Sequence, residues 1–197
     1  MMASHRLWRR LHSDRRGAAV VEFALIAPAL LMTVFGLFDL GYNIYTAELL
    51  EGAIQKAARN SGIESANSAT LDGRVAAQVK NIAPRATLTF KRTSYASFSD
   101  IGRPEDFTDV NGDGHCNNGE PFEDANANGA WDADQGKSGQ GGSRDAVLYE
   151  VQVTYPRPFP VMAIFGMSPN YSLTSRTVLR NQPYDLTPKP ASVLNCA

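Results

Sequence analysis

One stretch constrains this chain before anything else: Gly17 to Phe38, which reads GAAVVEFALIAPALLMTVFGLF. Ala18 to Phe38 is 21 residues long and carries a single ionisable side chain, Glu22. A helix rises roughly 1.5 Å per residue, so the run is long enough to cross a hydrocarbon core of ~30 Å. A carboxylate near the start of such a run is unfavourable by roughly 2.5–3.5 kcal/mol on insertion scales, and Glu22 therefore asks for a reason. Arg15, Arg16 and Gly17 stand immediately before the run. A cut after Gly17 would make Ala18 the new N-terminus and Glu22 its fifth residue. A secretory signal fits less well, since its apolar core runs about 7–15 residues and ends in a small-x-small cleavage site. Asp39, Leu40, Gly41 and Tyr42 offer no such site. The helix is expected to be retained.

A basic leader, a cut after Gly17, Glu22 followed by the aromatic Phe23, and then an apolar helix together resemble a type IV prepilin signal. The resemblance implies that a prepilin peptidase removes the leader on the cytoplasmic face, between Gly17 and Ala18. It also implies that Glu22 neutralises the amino terminus of a neighbouring subunit during assembly. The physics agrees, because two opposite charges in lipid cost far less together than apart. The competing reading is an uncleaved membrane anchor with a stray Glu near its cytoplasmic end.

At 197 residues the chain has room for one domain plus an anchor. Its formal charge of -1 hides an asymmetry: Arg6, Arg9, Arg10, Arg15 and Arg16 face only Asp14 in the first segment, so the remainder is acidic. A basic flank beside a span stays cytoplasmic, which sends the C-terminal portion out of the cytoplasm. No basic block exists beyond the leader, so nucleic-acid binding is not expected. The two cysteines, Cys116 and Cys196, could pair in an oxidising compartment and tie down the tail, although sequence does not show that their Cα atoms approach.

Past the span the helical pattern continues, with Leu50, Ala53, Ile54, Ala57 and Ala58 at helical spacing and a stop at Asn60-Ser61-Gly62. A second helix is predicted from Leu71 to Ala83, capped by Thr70 or Asp72, with Val75, Val79, Ile82 and Ala83 as its stripe and Pro84 as its end. Thr87 to Arg92 alternates as a half-buried strand. The clearest strand is Ala146 to Tyr155, with Val147, Tyr149, Val151, Val153 and Tyr155 on one face. Val161 to Met167 is too short to span a bilayer; a core helix, a partner-facing loop and a membrane-surface segment all fit it, core packing being the commonest of these. Tyr171 to Arg180 alternates again. Three antiparallel strands covered by helix give an α+β head. The Pro-rich tail from Asn181 should be irregular unless Cys196 fixes it.

Between the first two of these strands lies an acidic insert, residues 97–142. From Asp100 to Asp134 it holds ten acidic residues against one basic residue, Arg103. Its centre repeats with a period of 15: DVNGDGHCNNGEPFE from Asp109 and DANANGAWDADQGKS from Asp124. The first copy matches the twelve-residue calcium-loop pattern D-x-[DN]-x-[DN]-G-x5-E at every position. Calcium takes six to eight oxygens at ~2.3–2.6 Å, which short side chains at alternate positions of a tight loop can supply. Asp109, Asn111 and Asp113 would give side-chain oxygens, His115 its backbone carbonyl, Asn117 a contact through water and Glu120 the closing carboxylate. The second copy keeps Asp124, Asn126, Asn128, Gly129 and Asp132 but has Gln135 at the closing position. It should bind more weakly, or borrow Glu120 or Glu123. Pro121 follows Glu120 directly and three residues separate the loops, so the flanking helices of an EF-hand have no room. A hinge-opening sensor is therefore not expected; the loops would organise an extracellular head, with Phe122 and Trp131 as apolar pegs. The alternative is a solvated Gly/Asn/Asp-rich loop.

No nucleophile elbow, H-E-x-x-H or phosphate loop occurs, and of His5, His12 and His115 two lie in the leader. Catalysis is not expected. The RRGAAVVEF start, the small head, the D-x-N-G-D-G insert and the late TVLRNQPY segment (Thr177 to Tyr184) together resemble the TadE-like pseudopilins of the tight-adherence (Tad/Flp) pilus machinery. The resemblance implies a minor, non-enzymatic subunit, processed by a prepilin peptidase and held in the inner (cytoplasmic) membrane by one pass. Its head would be periplasmic or extracellular, and its partners other pilin and pseudopilin subunits and the assembly machinery. On this reading residues 1–17 are leader, 18–62 the pilin-like helix, and 63–197 the head. The alternative is a single-span calcium-binding surface protein unrelated to pili.

Overall fold

The computed structural model describes residues 16–61, 68–181 and 191–197. Residues 1–15 of the leader, Gly62 and part of the TVLRNQPY segment (Gln182 to Tyr184) therefore lie outside the described residues. Two compact units are present. The first holds α1 up to Asn43 together with residues 157–169, and the second holds residues 44–156 and 170–197.

Helix α1 runs from Arg16 to Ser61. Pro28 lies inside it and removes one backbone donor; five residues on, the Thr33 hydroxyl donates to the Ala29 carbonyl at 2.9 Å. The most apolar stretch of α1 has a mean hydropathy of 2.2, and none of it is buried within the protein. Val20, Val21, Phe23, Leu25 and Ile26 are all exposed. Side chains of that kind facing outward all round make this helix a candidate membrane span.

In the second unit α1 becomes a core helix. Leu50, Ala53, Ile54 and Ala57 are buried at the spacing the sequence gives them. Helix α2, Ser68–Ile82, buries Leu71, Val75 and Val79. It starts earlier than its stripe suggested, so Thr70 and Asp72 sit within the helix and neither is its cap. Asp72 is used instead to bond the sheet.

That sheet has the order β3-β1-β4-β5, all antiparallel. Strand β1 is Thr87–Tyr95, longer than its alternation indicated because Ser94 and Tyr95 are also buried. The short β3, Lys137–Ser138, pairs with its end. Strand β4, Ala146–Pro156, is central, and β5 is Asn170–Arg180. Val147, Tyr149, Val151, Val153 and Tyr155 are buried, each contributing roughly 1.5–3 kcal/mol of apolar transfer energy. Their partners across the ladders fall on the same face: Leu88, Phe90 and Arg92 from β1, and Leu173, Ser175 and Leu179 from β5. The opposite face is polar, with Arg176 paired to Glu150 and Thr154 bonded to Ser172.

One half-buried polar cluster joins α2 to this face. Arg92 grips Asp72 with two bonds, 2.9 and 2.5 Å long, its guanidinium stacks 4.4 Å over the Tyr149 ring, and the Tyr149 hydroxyl donates to Asp72 at 2.6 Å. The Glu51 carboxylate of α1 likewise accepts a bond from Ser175.

The tail is tied down by Cys196, the condition under which the sequence allowed it to be regular. Strand β6, Ser192–Asn195, pairs antiparallel with β2, Pro121–Asp124, in a second small sheet inside the insert. Core packing for the segment from Val161 is overturned. Residues 160–165 form a short 3-10 helix, Pro160–Phe165, and Ile164 and Met167 are exposed.

Candidate functional site

The insert folds as two matched loops about a pseudo-symmetric pair of Glu-x-Phe-x-Asp segments. Glu105, Phe107 and Asp109 form one; Glu120, Phe122 and Asp124 form the other. Phe107 and Phe122 pair across an antiparallel bridge, with Thr108 N–H bonded to the Pro121 carbonyl and Glu123 N–H to the Asp106 carbonyl, both at 2.9 Å. Phe122 is buried, and Phe107 meets Trp131 edge-on at 5.7 Å.

From each Asp the chain makes the same turns. Asp109 accepts backbone N–H bonds from Gly112 (2.6 Å) and Gly114 (2.9 Å), and Asp124 accepts them from Asn128 (3.1 Å) and Gly129 (3.0 Å). Asn111 accepts from Asp113 N–H at 2.8 Å, and Asn126 from Asn128 N–H at 3.0 Å. Asp113 accepts from His115 N–H, and Asn128 from Ala130 N–H, each at 2.8 Å. Both loops turn left-handed at their fourth and sixth positions, Gly112 and Gly114 in the first, Ala127 (φ 60°) and Gly129 in the second. Ala127 adopts a conformation that costs a non-glycine residue roughly 1–2 kcal/mol.

The closing carboxylates are the decisive comparison. Glu120 accepts from the N–H groups of Val110 (2.7 Å), Asn111 (3.2 Å) and Asn117 (3.2 Å). Glu105 accepts from Ala125 (2.9 Å), Asn126 (3.4 Å) and Asp132 (3.1 Å), which are the equivalent three positions of the second loop. Both carboxylates are buried, at 3% and 1% exposure. The second loop therefore borrows neither Glu120, which closes the first, nor Glu123, which is exposed; Glu105 takes the place that Gln135 leaves. The Glu105 backbone is held by Trp131, whose indole N–H donates to its carbonyl at 2.8 Å.

Among the described residues, no three acidic, histidine or cysteine side chains cluster tightly enough to hold a metal ion by themselves. What converges is a mixed set of carboxylates and amides. In the first loop Asp113 receives the side-chain amides of Asn111 (3.0 Å) and Asn117 (2.7 Å); in the second Asp132 receives those of Asn126 (2.7 Å) and Asn128 (2.5 Å). The Asn117 amide, with the His115 backbone N–H, holds the exposed Asp113 carboxyl below its usual range. Each loop thus carries hard oxygen groups, amides together with Asp109, Asp113 and Glu120 in the first and Asp124, Asp132 and Glu105 in the second, without drawing its three carboxylates onto one point. That donor set fits a divalent cation of the calcium type and not a soft metal.

The tail clamps this unit. Cys116 and Cys196 are joined as a disulfide with Cα atoms 5.5 Å apart, and Cys196 N–H donates to the Glu120 carbonyl at 2.8 Å. Elsewhere, a cleft of ≈ 330 Å³ between α1 and α2 is lined by Ala53, Ala57, Leu71 and Val75. Lys56, Asn60, Arg74 and Gln78 also line it, and it is far in sequence from the loops.

The second candidate site is the start of α1. Gly17, Ala18, Glu22 and Phe23 lie in its first turns, all exposed, and Glu22 makes no ion pair among the described residues. Residues 17–59 match the family model of the TadE-like proteins. Over this helix the chain is similar to the TadE-like proteins. The match begins at Gly17 and takes in most of α1, under a quarter of the chain, so the sheet and the loops stand outside it. No curated protein and no solved structure gives a significant match.

Proposed function

We propose that the chain is a minor TadE-like pseudopilin associated with a Tad-type pilus. It is made with a basic leader, cut after Gly17 by a prepilin peptidase, and held in the inner membrane by α1 with its head outside the cytoplasm. Its partners are other pilin and pseudopilin subunits, and its role is assembly without catalysis. One coincidence carries the reading. The TadE-like match opens at Gly17, in the first described turn of an apolar helix whose outward-facing Glu22 makes no ion pair among the described residues. In lipid such a carboxylate gains from a neighbour's positive charge, and a freshly cut α-amino group provides one. The test is the intact mass and N-terminal sequence of the protein from native membranes. A start at Ala18 is expected; a start at Met1 or Met2 would overturn the processing and leave a plain membrane anchor.

The same proposal gives the head two calcium ions. Asp109, Asn111, Asp113, the His115 carbonyl, Asn117 and Glu120 would hold one. Asp124, Asn126, Asn128, the Ala130 carbonyl, Asp132 and Glu105 would hold the other. The ions would neutralise carboxylates that otherwise repel one another, and so rigidify a segment with a small apolar core. Calorimetric titration of calcium-stripped protein is expected to give two sites per chain, with affinities in the ~0.1–1 mM range of extracellular modules. No heat of binding up to several millimolar would refute this part alone.

A further inference from the structure

The loop between β4 and β5 is chemically out of place for water. The strands stay paired to Pro156 opposite Asn170. The residues that join them read RPFPVMAIFGMSP, in which only Arg157 and Ser168 have polar side chains. Hairpin loops in water are built from Gly, Asn, Asp and Ser. Here the Arg157 N–H closes the neck on the Pro169 carbonyl at 2.9 Å, and between them Ile164 and Met167 are turned outward, at 69% and 52% exposure.

The loop packs on the end of the apolar run of α1. The Phe159 ring stacks on Phe35, with centroids 5.7 Å apart and planes 10° from parallel, and lies 6.0 Å from Phe38. Arg157 pairs with Asp39, a buried carboxylate that also accepts from the Asn43 amide at 3.2 Å. Phe35 lies one helical turn, roughly 6 Å, before Asp39 along the axis. Whatever surrounds Phe35 and Phe38 therefore surrounds the loop as well. On α1 those surroundings are the bilayer, since Leu37 and Phe38 are exposed beside it.

We propose that residues 157–169 are a second membrane-contact element, seated in the interfacial layer of the leaflet that α1 leaves at Phe38. The inference rests on α1 spanning the membrane. Its depth follows from the backbone. Irregular backbone exposed to lipid is not tolerated in the hydrocarbon itself, because unpaired N–H groups find no partner there. Pro158, Pro160 and Pro169 carry no N–H, and the N–H groups of Val161 and Gly166 are bonded to the Phe159 and Ala163 carbonyls at 2.7 and 3.0 Å, which lowers the number of donors left to the headgroup layer. The Arg157–Asp39 pair holds the neck at headgroup level, where charge is tolerated. The loop immerses Ile164 and Met167 beside α1 and adds apolar area to the anchor.

The test places tryptophan reporters in full-length protein reconstituted in phosphatidylcholine–phosphatidylglycerol vesicles. Ile164→Trp and Met167→Trp report on the loop and Leu25→Trp on the span, each after subtraction of the wild-type emission of Trp8 and Trp131. All three are expected to be blue-shifted and to lose roughly half their intensity when the acyl chains carry bromine, as groups at or below the headgroup boundary do. Leu25→Trp quenched by bromolipid with both loop reporters quenched only by aqueous iodide would overturn the proposal and leave the span standing. Loop reporters shielded from both quenchers, and released on diluting the protein in lipid, would overturn it in favour of a second copy. Loss of bromolipid quenching at Leu25→Trp would remove the span and the loop together.

Discussion

Asp72 serves two partners from the other side of the core: it takes both arms of Arg92 and the hydroxyl of Tyr149. Removing it leaves a guanidinium with 11% side-chain exposure facing an aromatic ring and no carboxylate. Breaking such a pair by deleting one member costs roughly 3 kcal/mol or more, because the remaining charge is stranded. Asp72→Ala is therefore expected to lower the urea midpoint of the detergent-solubilised protein well beyond an exposed control such as Lys91→Ala. The same cluster predicts a response to alkali. Burial first, and then the bond to the Asp72 carboxylate, push the Tyr149 phenol above its ordinary value of about 10. The folded state thus holds a proton that the unfolded state releases. Stability from this group is complete below about pH 10 and is lost as pH rises toward the folded-state value. Tyr149→Phe should be less stable at neutral pH but should lose less stability between pH 10 and 11.5, read as urea midpoints at several pH values.

At the scale of elements, strand β4 was legible because both rules that apply to it agree. Its residues alternate with period two, and one face of the sheet is covered by helix, so every second side chain is buried. The second loop was legible only in part. Counting twelve positions along the chain finds Gln135, but the structure closes the loop with a residue that lies before the first copy. The signal was present as Glu-x-Phe-x-Asp, occurring at Glu105 and again one period later at Glu120; reading the repeat from its glutamates would have found it. If calcium fills both loops, Glu105→Gln should abolish one of the two binding events and spare the other, and Glu120→Gln should do the reverse. Equal loss of both in either variant would mean that the loops are not separately closed. The tail was unreadable for a different reason: nothing in Ser192 to Asn195 says where its partner strand lies, and the disulfide settles it. Closing so long a loop constrains the unfolded chain by roughly 2–4 kcal/mol. Cys196→Ser should accordingly lower the thermal midpoint and open the Cys196 end of β6 to carboxypeptidase, while the β4–β5 ladder keeps its amide protection in hydrogen exchange.

For the molecule as a whole, the division into two units separates two kinds of stabilisation. The first unit has little interior of its own; its long helix turns apolar side chains outward, as a candidate membrane span does. The second has an ordinary core under one face of a sheet, plus an insert whose buried members include Glu105, Glu120, Asp124 and Asn126. Burying a carboxylate is unfavourable, and the backbone N–H bonds that Glu105, Glu120 and Asp124 accept offset only part of that cost. A cation would relieve the insert and leave the span untouched. Chelation should therefore act on one unit and not the other. In native membranes treated with a calcium chelator, the protein is expected to stay in the membrane pellet through a carbonate wash. The insert between Ser97 and Gly142 should become cleavable by protease, and the core strands β1, β4 and β5 should survive as a protected set. Release from the membrane on chelation would contradict the separation, because it would tie anchoring to the loops. An unchanged digestion pattern would contradict the role given to calcium, because a stable insert would then owe its order to the disulfide and β6 alone.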